Sequence, residues 1–190
     1  MVWQTTCMGK FGVFSLESEW DHNLTNKETV RPLLEVLENS ADIKFIHRRV
    51  ATKSELKYFL DLWVQRKYDD YKMLTINTHG DQKRLWLHTE EVTLKDLKEW
   101  IGERGQERTL YLGGCEILKG SEKDLKKFLR ETKLKALIGY TRYVEWIEAA
   151  ALELLIFQTL SYKTPGWARN YLESNYKYLV EKLGMKFIIR

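Results

Sequence analysis

Cysteine is scarce in this chain: only Cys7 and Cys115 occur in 190 residues, too few for a disulfide framework or a thiolate metal site. No apolar run reaches the length of a membrane span. Residues 1–10 carry neither a basic start nor an apolar stretch of signal-peptide length. These absences lead us to expect a cytoplasmic chain with no membrane partner. Charge of one sign is also wanting. The formal net charge is only +4, and the lysines are spread along helix faces instead of gathered among aromatics, so no nucleic-acid partner is expected. There is no linker, internal repeat or low-complexity segment, and no glycine-rich phosphate loop follows the first strand. Residues 1–10 read as a short leader and 11–190 as one domain.

What is present suffices for one core: 44% apolar and 13% aromatic residues, with 31% charged residues of both signs interspersed. Strand and helix signals alternate. Residues 11–16, 44–50, 73–78, 109–112, 134–140 and 186–189 are rich in β-branched and aromatic types, and 84–88 reads as a brief extra strand. Between them, Val30, Leu33, Leu34 and Leu37 recur at helical spacing behind a Thr29 cap. Thr52 with Glu55 forms a capping box, and Thr93 and Ser121 open further helices. Residues 146–160 are so apolar that their helix must be largely buried. One last helix is predicted from Pro165 to Gly184. Strands joined by helices require crossover connections, so the expected fold is a three-layer α/β/α sandwich around a mostly parallel six-stranded sheet.

In such a sheet the chemistry lies beyond the carboxyl ends of the strands. Four segments leave there: 17–21, 79–80, 113–116 and 142–148. Two of them carry His79 and Cys115, the histidine that directly exits a core strand and the internal cysteine. They sit at the tips of consecutive strands, and neighbouring strands are only about 5 Å apart. Gly80 lets a substrate backbone approach, and Gly113-Gly114 permits a turn that lifts the thiol out of its strand. Amides at Gly80 and Cys115 are the natural oxyanion donors. Cys115 is then the nucleophile of an acyl transfer and His79 its acid/base partner. A lone cysteine is more often a small buried hydrophobe, and a lone histidine fares little better; the joint placement carries the reading.

His79-Gly80 after an apolar strand, and Cys115 after the next, resemble the dyad of clan CD cysteine peptidases: caspases, metacaspases, gingipains, separases and CHAT domains. The stretch 109–116, Thr-Leu-Tyr-Leu-Gly-Gly-Cys-Glu, is similar to the CHAT nucleophile strand. Ala136-Leu-Ile-Gly139, running on through Val144-Glu145 to Ala149-Ala150-Ala151, is similar to that family's next strand and helix. Gly114, Leu118 and Arg142 depart from the CHAT pattern. The resemblance implies a caspase-like sheet and a cysteine endopeptidase acting on a protein or peptide. It further implies an activating protein partner, a small signal or self-association, and a role in prokaryotic stress or antiviral defence.

In that resemblance Glu145 matches the acidic residue facing a basic substrate side chain. Glu17, Glu19 and Asp21 leave the first strand toward the same crevice, so cleavage after Lys or Arg is expected. The competing reading gives Arg142 the substrate, as caspases use an arginine for an acidic residue. Trp20 and Trp146 flank the mouth, whereas core packing accounts for Trp63, Trp86, Trp100 and Tyr171. His22, His47 and His88 show no ligand spacing, so neither metal nor cofactor is expected. Two rival classes stay open: a ligand-binding α/β module, and a catalytically inactive caspase-like scaffold or sensor.

Overall fold

A computed structural model describes residues 11–20, 23 and 25–190. The leader with Cys7, together with Asp21 and His22, lies outside the described residues. Six strands form the main sheet: β1 (Gly12–Glu17), β2 (Lys44–Arg49), β3 (Met73–Asn77), β7 (Thr109–Leu112), β8 (Ala136–Tyr140) and β9 (Met185–Ile189). Their spatial order is β2-β1-β3-β7-β8-β9. Every pairing is parallel except β8 with β9.

The two-residue strand period sorts the core. Phe14, Leu16, Leu74, Ile76, Leu110 and Leu112 point to one face. There they meet α2 (Lys53–Trp63), α3 (Leu94–Ile101) and α4 (Glu122–Thr132). Val13, Met73, Tyr111, Ile138 and Tyr140 point to the other. They meet α1 (Arg31–Ala41), α5 (Trp146–Tyr162), α6 (Pro165–Asn175) and α7 (Lys177–Leu183). This is the three-layer sandwich expected from the alternation of signals. Among the described residues no helix is long and apolar enough to cross a membrane.

Capping boxes form at Thr52/Glu55 and at Thr93/Asp96, and Ser121 caps α4 through the Asp124 amide. Two local expectations change. Thr29 is not the cap of α1: Val30 takes that position, because the Thr29 hydroxyl is donated to a buried carboxylate, Glu17 Oε2, at 2.6 Å. The single helix expected from Pro165 to Gly184 is two. Tyr176 leaves helical geometry (φ −130°, ψ 31°), its N–H still bonding to Leu172 O, while its ring packs on Tyr171.

The extra strand belongs to a second sheet, β4 (Gly80–Asp81), β5 (Arg84–Leu87) and β6 (Glu90–Thr93), all antiparallel. β4 and β6 are too short to give a periodic signal. The hairpin is fastened to the end of β3: the Trp86 N–H donates to His79 O at 3.0 Å, and the Thr78 hydroxyl donates to Trp86 O.

Candidate active site

β1, β3 and β7 are neighbours in register, with Glu17 beside Asn77 and Ile76 beside Leu112. His79 and Cys115 therefore emerge at the same edge, just past β3 and β7. From β1 the chain steps outward to β2, and from β3 it steps the opposite way to β7. Such a reversal opens a crevice between strand ends.

The two loops touch through their backbones. A Cβ at Gly80 would lie 2.6 Å from Cys115 O and 2.9 Å from Cys115 N. One at Gly113 would lie 2.7 Å from Asn77 Oδ1, and one at Gly114 3.1 Å from Thr78 O. Glycine at these places is a steric requirement of bringing two strand exits together. Past the cysteine, Glu116 adopts left-handed geometry (φ 56°). The Glu116 and Leu118 N–H groups donate to Arg142 O and Tyr140 O, at 3.2 and 2.9 Å. The nucleophile turn is thus tied to the end of β8.

His79 and Cys115 line one cavity of about 240 Å³, together with Trp20, Trp146, Ala149 and Glu153. Cys115 is half-buried and unpaired to any other sulfur. His79 Nε2 lies at hydrogen-bond distance from Trp20 O. A carbonyl can only accept, so Nε2 carries the hydrogen, and in the neutral ring Nδ1 holds the lone pair. The Trp20 ring packs edge-on against His79 (centroids 5.4 Å apart) and against Trp146 (4.8 Å).

Glu17 stands behind this arrangement. It is 0% exposed. Trp20 Nε1 donates to it at 2.6 Å, Thr29 Oγ1 at 2.6 Å and the Val30 N–H at 2.8 Å, while His47 Nε2 lies 2.7 Å away. Burial raises its pKa, yet the bonds from His47, Thr29, Trp20 and Val30 outweigh burial and hold the carboxyl below the ordinary range. Glu17 is therefore enclosed and orients Trp20, instead of facing the crevice as expected.

The other expected specificity residues are not brought into the cavity. Glu19 lies 3.8 Å from His88 Nδ1, beside the hairpin. Glu145 is exposed at the N-cap of α5, without a side-chain capping bond. Arg142 turns toward α7, its Nη1 donating to Glu181 O at 3.1 Å. Asp21 lies outside the described residues.

Sequence reading passed over Glu153. It lies on α5 at 7% exposure, its Oε1 accepting from Tyr111 Oη at 2.7 Å and from Tyr140 Oη at 3.2 Å. Burial pushes its carboxyl up to about 7, against the two phenol bonds, which lower it. A carboxylate deep in the apolar run 146–160 was the available signal; helical periodicity is weak there, because α5 is apolar all round.

This has a measurable consequence. The unfolded chain releases the Glu153 proton near pH 4.5 and the folded chain only near 7, so between those values the folded state binds more protons and stability falls as pH rises. Glu153→Gln is expected to remove a pH-dependent loss on the order of 3 kcal/mol. Urea unfolding at about pH 5 and about pH 8 reads it. Equal slopes with pH in both proteins would contradict it.

A family model described as "Family of unknown function (DUF6642)" matches residues 10–185. No curated protein matches the chain. Among solved structures, the chain is similar to pro-sf-caspase-1 at 12% identity and a TM-score of 0.46, covering 80% of this chain and 79% of that one. It is similar to caspase-1 from Spodoptera frugiperda at 10% identity and a TM-score of 0.48, covering 80% and 76%. At such scores neither likeness carries an argument about activity.

Proposed function

The chain belongs to the DUF6642 family, and for this member we propose a cysteine peptidase that cleaves proteins or peptides through a Cys115/His79 dyad. The observation that carries the reading is the shared cavity, lined by both His79 and Cys115, with Gly80 packed closely against the Cys115 backbone.

The chemistry follows from the tautomer. With Nε2–H committed to Trp20 O, Nδ1 takes the thiol proton and Sγ attacks the scissile carbonyl. The oxyanion is met by backbone amides. His79 and Trp86 form a hydrogen-bonded antiparallel pair, so the next residue, Gly80, turns its N–H away from β5. That N–H and the Cys115 N–H are the proposed donors. The imidazolium gives its proton to the departing amine, leaving a thioester on Cys115. Water, deprotonated by His79, then cleaves the thioester and restores the thiol. Trp20 and Glu17 act as positioning residues for the imidazole.

The kinship to the CHAT and separase branch, cytoplasmic residence, activation by a partner protein, a small signal or self-association, and a part in stress or antiviral defence belong to the same proposal. Cytoplasmic residence rests on the scarcity of cysteine and of long apolar runs, the others on the motif resemblance.

Alkylation by iodoacetamide tests the dyad without a known substrate. Cys115 is expected to react at about pH 6 to 7 and to slow about tenfold or more in His79→Ala. Intact-mass kinetics, with Cys115→Ala as the blank, provide the measurement. A Cys115 that is inert, or indifferent to His79, would sink the peptidase reading and leave the scaffold or ligand-binding alternatives.

A further inference from the structure

Glu153 is an expensive residue in the position it occupies. A carboxylate on a buried helix costs solvation unless charge or donors compensate it. Here both hydrogen-bond partners are neutral phenols, bonded to the same oxygen. Tyr111 and Tyr140 are themselves held protonated, by burial first and then by the nearby Glu153 charge. Among the described residues no lysine, arginine or histidine is bonded to the Glu153 carboxylate, although the residue lines the cavity that His79 and Cys115 share. A glutamine would satisfy the same phenols without a charge.

We propose that Glu153 is the specificity-determining residue of this cavity, its carboxylate receiving the cationic head of a lysine or arginine side chain on the acyl side of the bond that Cys115 attacks. The placement follows from connectivity. The side chain on the acyl side branches from the α-carbon bonded to the attacked carbon, closer to Sγ than any other substrate side chain, and the cavity beside Sγ is the space it meets. About 240 Å³ corresponds to roughly eight waters at about 30 Å³ each, room for one long unbranched side chain. Its walls include Val30, Leu33, Ala149 and Ala150, apolar flanks for a methylene stem, and the carboxyl-bearing residues Glu28 and Glu153. Oε1 serves the tyrosines, so Oε2 is the atom offered to the incoming cation.

This assignment rests on the dyad reading for its meaning, but binding can be measured without turnover. The probe is butylguanidine, titrated calorimetrically into the Cys115→Ala protein at about pH 8. Its affinity is expected to fall at least about tenfold in a Cys115→Ala/Glu153→Gln protein, since a charge-assisted bond becomes a neutral one. It is also expected to fall about tenfold between about pH 8 and about pH 6 when Glu153 is present, and to be flat in the glutamine variant. That comparison separates Glu153 from the other titratable groups around the cavity, His79 and Glu28, and from Tyr111 and Tyr140 against its carboxylate. Glutamine keeps both phenol bonds, and the pH series on the Glu153 protein stands even if the variant folds poorly.

No binding at about pH 8, or equal binding with glutamine, overturns the assignment. A peptide library preferring Asp over Lys and Arg at the acyl position would do the same. Glu153-dependent binding alongside a Cys115 indifferent to His79 would keep the pocket and discard the dyad. A His79-dependent Cys115 without guanidinium binding would do the reverse.

Discussion

Gly80→Ala is expected to lower peptide turnover about a hundredfold or more while leaving a folded protein. The added methyl would sit 2.6 Å from Cys115 O, 2.8 Å from Ile117 Cδ1 and 2.9 Å from Cys115 N. Two of these neighbours are backbone atoms, which cannot swing aside as a side-chain tip can. Something must move by several tenths of an ångström, either the His79–Gly80 segment or the nucleophile turn. The turn is held at its far side by the Glu116 and Leu118 bonds to Arg142 and Tyr140. The histidine segment is pinned by Trp86 N–H to His79 O. Strain of this kind costs about 1–3 kcal/mol of stability. The larger effect is on geometry, because misplacing reacting groups by about 1 Å costs on the order of a hundredfold in rate. Turnover of a peptide library, read beside the urea midpoint, checks both. Unchanged turnover would mean that the two loops are not jointly required, against the dyad.

The second expectation is thermodynamic. Glu17→Ala is expected to destabilise the fold by about 3 kcal/mol or more, since removing one partner of a buried charged network strands the rest. Trp20 Nε1, Thr29 Oγ1 and the Val30 N–H would lose their acceptor, and each buried donor left unpaired costs about 1–3 kcal/mol. The sign with pH follows from the lowered carboxyl. Glu17 contributes its stability above about 4.5 and loses it as pH falls through the lower folded value. Urea denaturation at neutral pH measures the loss, and an acid titration shows whether the variant lacks the steep drop below pH about 4.5. The same substitution frees Trp20, whose carbonyl and ring hold His79, so the surviving folded fraction should alkylate more slowly at Cys115. A variant within about 0.5 kcal/mol of the parent would show Glu17 to be solvated, as its reading as a mouth residue required.

Much of this was legible in the chain itself. Hydrophobic runs in β3 and β7, each buried on both faces, read as central parallel strands, because such strands carry near-continuous apolar sequence. The capping boxes at Thr52/Glu55 and Thr93/Asp96 marked helix starts through local chemistry alone. Histidine and cysteine at strand exits, with glycines beside them, were visible as a pair for the same reason: strand ends and turn glycines are local features.

Charged residues were the hardest to place, because a side chain's neighbours in space are not its neighbours in the chain. Glu17 looked like a loop acid, but is enclosed by Thr29, Val30 and His47, residues 12 to 30 positions away. Arg142 sits on the right segment but turns to Glu181 O, and Glu145 is exposed at the N-cap of α5 outside the cavity lining. Glu153 was passed over within the apolar run 146–160.

The sequence by itself determined the layered α/β architecture and the exit of His79 and Cys115 at one edge of the sheet, since period, caps and turn glycines act over a few residues and parallel neighbours must end at one edge. Only the tertiary structure decided which carboxyl-bearing residues line the cavity. That choice depends on how α5 packs across β7 and β8 to set Glu153 against Tyr111 and Tyr140. Such packing is a long-range outcome of burying an all-apolar helix, and no local pattern encodes which turn of it faces the site.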